Sequence, residues 1–187
     1  DGYAFDAVAA LFVALGDLDA ALPWFRKALE AHRHPGSGSG EADVATAINN
    51  TATCLAHMGS WDEAWRMHHE CLAARKRALG DEHPDVAQSI NNMALCLSKL
   101  GKIEEALPLH YEALAIYKRA LGDEHPDVAT VLNNIAACLS EQGKSEEALR
   151  LHREALATHK RALGDNHPDV AVDLNNMASC LSDQGKF

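Results

Sequence analysis

The chain has 187 residues, 47% of them apolar and 24% charged, so it can bury a sizeable core. Its 27 acidic and 17 basic residues leave a formal charge of -10, which argues against nucleic acid and anionic membranes as partners. Aromatic residues are only 5% and alanine is plentiful, a composition that favours packed helices over a sheet. The longest apolar run, residues 7–15, is far shorter than the roughly 20 residues of a membrane span. No basic stretch followed by an apolar run suggests a signal peptide, and the missing initial Met fits an excerpt of a longer protein.

In chain order, a diverged unit over residues 1–42 comes first, marked by Gly16 and closed by the Gly/Ser-rich segment His34 to Gly40. That segment has the only flexible-linker composition in the chain and reads as a loosened loop between repeats. Three regular units follow, 43–84, 85–126 and 127–168, and a fourth begins at 169 and stops at Phe187. Asn-Asn pairs (Asn49-Asn50, Asn91-Asn92, Asn133-Asn134, Asn175-Asn176) mark the 42-residue step, as do Gly59, Gly101, Gly143 and Gly185. Cys54, Cys96, Cys138 and Cys180 keep it too, and units 85–126 and 127–168 share 29 of 42 residues.

Each unit reads as two helices. In 127–168, Pro126 and Asp127 start the first, Val128, Leu132, Ile135 and Leu139 form its apolar stripe, and Gly143 stops it. Ser145 opens the second, Glu146 and Glu147 occupy its first turn, Leu149, Leu151, Leu156 and Leu163 supply apolar contacts, and Lys160 and Arg161 precede the terminating Gly164. One such pair cannot bury its own apolar faces, but stacked pairs can.

These residues carry a family resemblance. The turn glycines, the Glu-Glu-Ala-Leu of Glu104 to Leu107 and Glu146 to Leu149, and the small residues Ala64, Ala106, Ala148, Cys71, Ala113 and Ala155 stand in register. With the Leu-Gly-Asp-Glu-His-Pro-Asp-Val-Ala linker and the Asn-Asn core, the chain resembles tetratricopeptide repeats, specifically the 42-residue type of kinesin light chains and nephrocystin-like proteins. The resemblance implies an all-α, right-handed superhelical solenoid of antiparallel helix pairs over 1–187, with first helices lining a concave groove that holds an extended peptide or a partner's helix. It also implies a module with no chemistry of its own, read as an adaptor or scaffold; the cytoplasmic setting is read from the cysteines.

Helical geometry gives candidate groove residues independently of the resemblance. Thr46, Asn50, Thr53 and His57 fall on one stripe, opposite Val44, Ile48, Thr51 and Leu55. Equivalent stripes are Gln88, Asn92, Leu95 and Lys99; Thr130, Asn134, Ala137 and Glu141; and Val172, Asn176, Ser179 and Asp183. Asn50, Asn92, Asn134 and Asn176 thus make a carboxamide ladder, able to donate to and accept from a peptide main chain. The alternative is that asparagines bond to neighbouring helices, which is the reading adopted for Asn49, Asn91, Asn133 and Asn175. Only Lys99 and His57 could meet a terminal carboxylate, and Glu141 and Asp183 suit a neutral or basic segment.

Chemistry is expected to be absent. Helices about 9–10 Å apart place equivalent cysteines too far apart to pair, so the five read as buried thiols, Cys71 included, in a reducing setting. His68, His110 and His152 recur where the diverged unit has Phe25 and read as packing residues; His83, His125 and His167 read as local caps. Trp61 and Trp65 read as packing between repeats, and no metal, cofactor or catalytic pattern stands out. At the C-terminal end Leu174, Met177 and Leu181 are expected to be partly uncovered, which predicts either further repeats or self-association. The rival roles are a structural spacer or self-associating rod, and a regulatory array in a larger signalling protein.

Overall fold

The structure, a computed structural model, describes residues 2–183, with the Asp183 side chain excluded. The described residues form nine helices and no strand: α1 (Gly2–Ala14), α2 (Leu18–Arg33), α3 (Glu41–His57), α4 (Trp61–Leu79), α5 (Pro84–Lys99), α6 (Ile103–Leu121), α7 (Pro126–Glu141), α8 (Ser145–Leu163) and α9 (Pro168–Asp183). The fold is an all-α helical repeat solenoid. The chain divides into two compact units, residues 1–100 (α1 to α5) and 101–187 (α6 to α9).

The repeated linker sets the helix ends. Gly80, Gly122 and Gly164 close α4, α6 and α8 with φ of 84°, 87° and 87° and ψ of 163°, 162° and 159°. That region is essentially restricted to glycine. Lys76, Lys118 and Lys160 reach forward to Asp81, Asp123 and Asp165 at 3.5, 3.4 and 3.3 Å. Each linker then turns into the next first helix through its histidine. The Nδ1 atoms of His83, His125 and His167 accept from the backbone N–H of Asp85, Asp127 and Asp169 at 3.1, 3.2 and 3.3 Å. This is the work of an N-cap side chain, done here by an imidazole next to a first-turn proline.

In the unit of α1 to α5, Ala21, Ala28, Ala64 and Cys71 are fully buried, where small side chains let helices approach closely. Leu29 packs with Ala45, Ala47, Ile48 and Ala74, and Ala9 with Phe25 and Cys54. Trp61 and Trp65 pack against Leu55 and Cys96, between repeats as the sequence indicated. The Gly/Ser-rich loop is stitched down instead of loose. His32 Nδ1 meets Ser39 Oγ at 2.7 Å, and Ser37 Oγ donates to the His32 carbonyl. In the unit of α6 to α9, the stripe Val128, Leu132, Ile135 and Leu139 is buried, as are Ala106, Ala113, Ala148 and Ala155.

All five cysteines are buried thiols outside any disulfide. Cys71 and Cys180 donate Sγ–H to the carbonyls of Ala45 and Ser145 at 3.2 and 3.3 Å. His68, His110 and His152 are buried too. Desolvation pushes the pKa of His152 down and those of His68 and His110 down to about 4, so all three are neutral near pH 7. Among the described residues no three His, Cys, Asp or Glu side chains gather as a metal site, and no helix is long and apolar enough to cross a membrane. Leu174 is half exposed, and Met177 and Leu181 are partly exposed. Gly185, Lys186 and Phe187 lie outside the described residues.

Second helices meet the following first helix through a position whose content changes along the chain. Arg75, buried at the end of α4, donates from Nη1 to the Asp85 carbonyl (2.7 Å), Gln88 Oε1 (3.0 Å) and Ser89 Oγ (2.9 Å). Two repeats on, His159 Nδ1 meets Asp173 Oδ2 at 2.8 Å, and its Nε2 lies 3.2 Å from the Pro126 carbonyl. Between them in sequence, the same two positions hold Tyr117 and Val131, both buried.

Candidate binding face

The stripe opposite the apolar face of each first helix is the accessible one. On α3, Ile48, Thr51 and Leu55 are buried, while Thr46 and His57 are exposed and Asn50 and Thr53 half-buried. On α5, Val86, Ile90, Met93 and Leu97 are buried, while Gln88 and Lys99 are exposed and Asn92 half-buried. A helix that buries one face in the core holds the opposite face clear by geometry alone.

Five of the sequence-predicted residues are brought together. Asn50, Thr53, His57, Gln88 and Asn92 line a pocket of about 440 Å³, shared with Asn49 and Cys54. Its apolar wall is Val13 from α1 and Leu18 and Phe25 from α2. Thr46 and Lys99 stand outside it; Thr46 bonds to the Ala42 carbonyl of its own helix. The wall was not singled out from sequence because the diverged unit aligns with the others chiefly through Gly16. Phe25 carried a signal, since it replaces the repeated histidine.

The pocket is nearly uncharged. His57 is its one basic lining residue, no carboxylate lines it, and burial pushes the Cys54 thiol pKa up. Gln88 has its oxygen engaged by Arg75, which leaves its amide hydrogens for other acceptors. Asn92 donates Nδ2–H to Asn49 Oδ1 at 3.5 Å, the outer limit of a hydrogen bond. Asn49, for which bonding to neighbouring helices is the reading favoured from sequence, also lines the pocket.

In the unit of α6 to α9, Thr130 and Glu141 are exposed on α7 and Asn134 is half-buried. Thr130 Oγ1 donates to the Pro126 carbonyl at 3.2 Å. On α9, Asn176 is half-buried and Ser179 exposed; Asp183 ends the helix, its side chain outside the described residues. On α7 the first asparagine is turned inward, whereas Asn175 on α9 is exposed. Asn133 is buried, its Oδ1 lies 2.7 Å from His152 Nδ1, and its Nδ2–H donates to Asp173 Oδ1. Asn91 is buried as well.

What this surface offers is hydrogen bonding by neutral amides and hydroxyls beside an apolar wall. The tetratricopeptide repeat model matches residues 43–119, 85–161 and 127–187, and a second tetratricopeptide repeat model matches 6–33. No curated protein matches the chain. Among solved structures, BtubC (BKLC) from P. vanneervenii is similar with a TM-score of 0.81 at 24% identity, covering 98% of this chain and 72% of that one. A Podosopora anserina protein of nearly identical TPR-like repeats, assigned as a kinesin light chain, gives 0.74 at 20% identity, over 98% and 87%. Aspartyl phosphate phosphatase F from Bacillus subtilis gives 0.76 at 16% identity, over 97% and 44%. At these identities the likeness is one of fold.

Proposed function

Because the chain belongs to the tetratricopeptide repeat family, with repeats of the kinesin-light-chain type, we propose that it is a non-enzymatic adaptor or scaffold module that grips an extended peptide on its first helices. The fold supports a protein–protein interaction module or scaffold, and proteins of this family are in general non-enzymatic.

The observation that carries the reading is the 440 Å³ pocket, where Asn50, Gln88 and Asn92 stand beside Val13, Leu18 and Phe25. Carboxamides bond the N–H and C=O of a peptide whatever its side chains, and the apolar wall takes one side chain out of water. Asn134 and Asn176 repeat the carboxamide element on α7 and α9. The pocket suits a neutral segment, and Glu141 a neutral or basic one. The net charge of -10 speaks against nucleic acid and anionic lipid. A cytoplasmic setting fits five buried thiols outside any disulfide.

A peptide-array screen followed by Asn92→Ala with Asn134→Ala tests the proposal. Two lost hydrogen bonds predict a fall of about 10- to 100-fold in affinity for any captured peptide, with helix content retained. The competing reading is structural, and the Asn92–Asn49 bond favours it. Under that reading the double variant loses stability and binds as before, an outcome that defeats the peptide-gripping proposal.

A further inference from the structure

Two repeat junctions in this chain hold the same three residue types in different hydrogen-bond arrangements. On α3, α4 and α5 the residues are Asn49, His68 and Asn92. Two repeat lengths on, they are Asn133, His152 and Asn176, on α7, α8 and α9. In the second set the first asparagine faces the core: Asn133 Oδ1 lies 2.7 Å from His152 Nδ1. In the first set it faces the pocket: Asn49 Oδ1 accepts from Asn92 at 3.5 Å, and His68 Nδ1, fully buried, has no protein partner.

The difference has a local cause. Asp173 accepts the amide N–H of Asn133 and anchors it inward. The equivalent residue in the first set is Ser89, already engaged by Arg75 Nη1 at 2.9 Å and by Cys71 Sγ at 3.5 Å. Asn49 lacks that anchor. Its carboxamide spends itself on a long bond to Asn92, while an imidazole that buries its nitrogen without a partner bears the greater cost.

We propose that Asn49 is a two-position positioning residue for the binding face. When Asn92 turns to a peptide main chain, Asn49 swings inward and takes the Nδ1–H of His68, adopting the arrangement that Asn133 and His152 already show. Gripping a peptide then exchanges a weak surface bond for a short buried one, so His68 favours the ligand-ready state without touching the ligand. The proposal rests on the peptide-gripping reading for its purpose, but the exchange itself is testable without any peptide.

The experiment is nitrogen-15 NMR of the histidine rings in the full chain near pH 7. Asn92→Ala removes the pocket-side partner and keeps the helix, since alanine is the better helix former. The His68 ring N–H is expected to move downfield toward the position of His152 and to exchange more slowly with water. Asn49→Ala combined with Asn92→Ala abolishes the shift. A His68 resonance that is the same in wild type and Asn92→Ala overturns the proposal. N-methylacetamide, a single peptide bond, supplies the second measurement in the wild-type chain. The proposal expects the Asn92 amide and His68 to move together along the titration; movement of Asn92 alone refutes the exchange. Should neither move, peptide gripping by Asn92 is what fails, and the Asn92→Ala spectrum still decides the exchange.

Discussion

Asp173 is the most deeply buried carboxylate among the described residues, at 0% exposure, and its two oxygens serve His159 and Asn133. Removing it leaves His159 Nδ1 and Asn133 Nδ2 without their acceptor in the interior. Asp173→Ala is expected to cost about 2–4 kcal/mol, the loss of two buried hydrogen bonds to a carboxylate, read from urea unfolding. The chain itself suggests the repair: His159→Tyr with Asp173→Val imports the residues found at 117 and 131. That double variant is expected to recover more than half of the loss, because it removes the buried imidazole together with its acceptor. Equal damage in single and double variants would show that the pair does not act as a unit. None of this was legible in the sequence. Spacing placed Asp173 on α9 as one more residue of a repeat, and the identity of its partner depends on which side chain the preceding second helix presents. The second asparagines were legible, because the stripe opposite an apolar face follows from helical geometry. The dual position of Asn49 was not, since it depends on Ser89 standing where Asp173 stands later.

Elements begin and end where the linker dictates. Gly122 has φ 87° and ψ 162°, and a Cβ there would meet nothing within 4 Å. The cost of any other residue is therefore conformational and not steric. Gly122→Ala is expected to lose about 1–3 kcal/mol, and Gly122→Asn about as much, because this region lies outside the left-handed helical basin that asparagine tolerates. Thermal or urea unfolding of the two variants checks it; rescue by asparagine would contradict the assignment. Helix boundaries were the most readable part of the sequence. Pro126, Ser145 and Gly164 mark α7 and α8 where expected. The caps were readable too: His83, His125 and His167 cap as expected, and the structure adds that the ring Nδ1 is the acceptor. The loop of residues 34–40 misled by composition, since its serines bond to His32.

Across the molecule, burial of neutral histidines links stability to acidity. His68 and His110 titrate near pH 4 when folded and near 6.5 when unfolded, so protons bind the unfolded chain first as pH falls. Stability contributed this way is intact above about pH 6.5 and is lost down to about pH 4, by up to about 3 kcal/mol for each residue. Urea midpoints at pH 7 and 4.5 should differ accordingly, and His68→Phe, which imports the Phe25 solution, should flatten the difference. A midpoint unchanged across that range in wild type would contradict it. The repeat period made the solenoid legible at this scale, whereas the wall of Val13, Leu18 and Phe25 stayed hidden in the unit least like the rest. The changing occupants of the second-helix position, Arg75 then Tyr117 then His159, carry an evolutionary consequence. Tandem copies this alike invite unequal crossing-over. Excising 85–126 would seat the guanidinium of Arg75 against Val131, and duplicating 127–168 would seat His159 against a second Val131. Both products close up in frame with every periodic landmark intact, yet each deprives a buried polar head of its side-chain mate: Ser89 and Gln88 for Arg75, Asp173 for His159. The array thereby resists growing or shrinking by whole bricks.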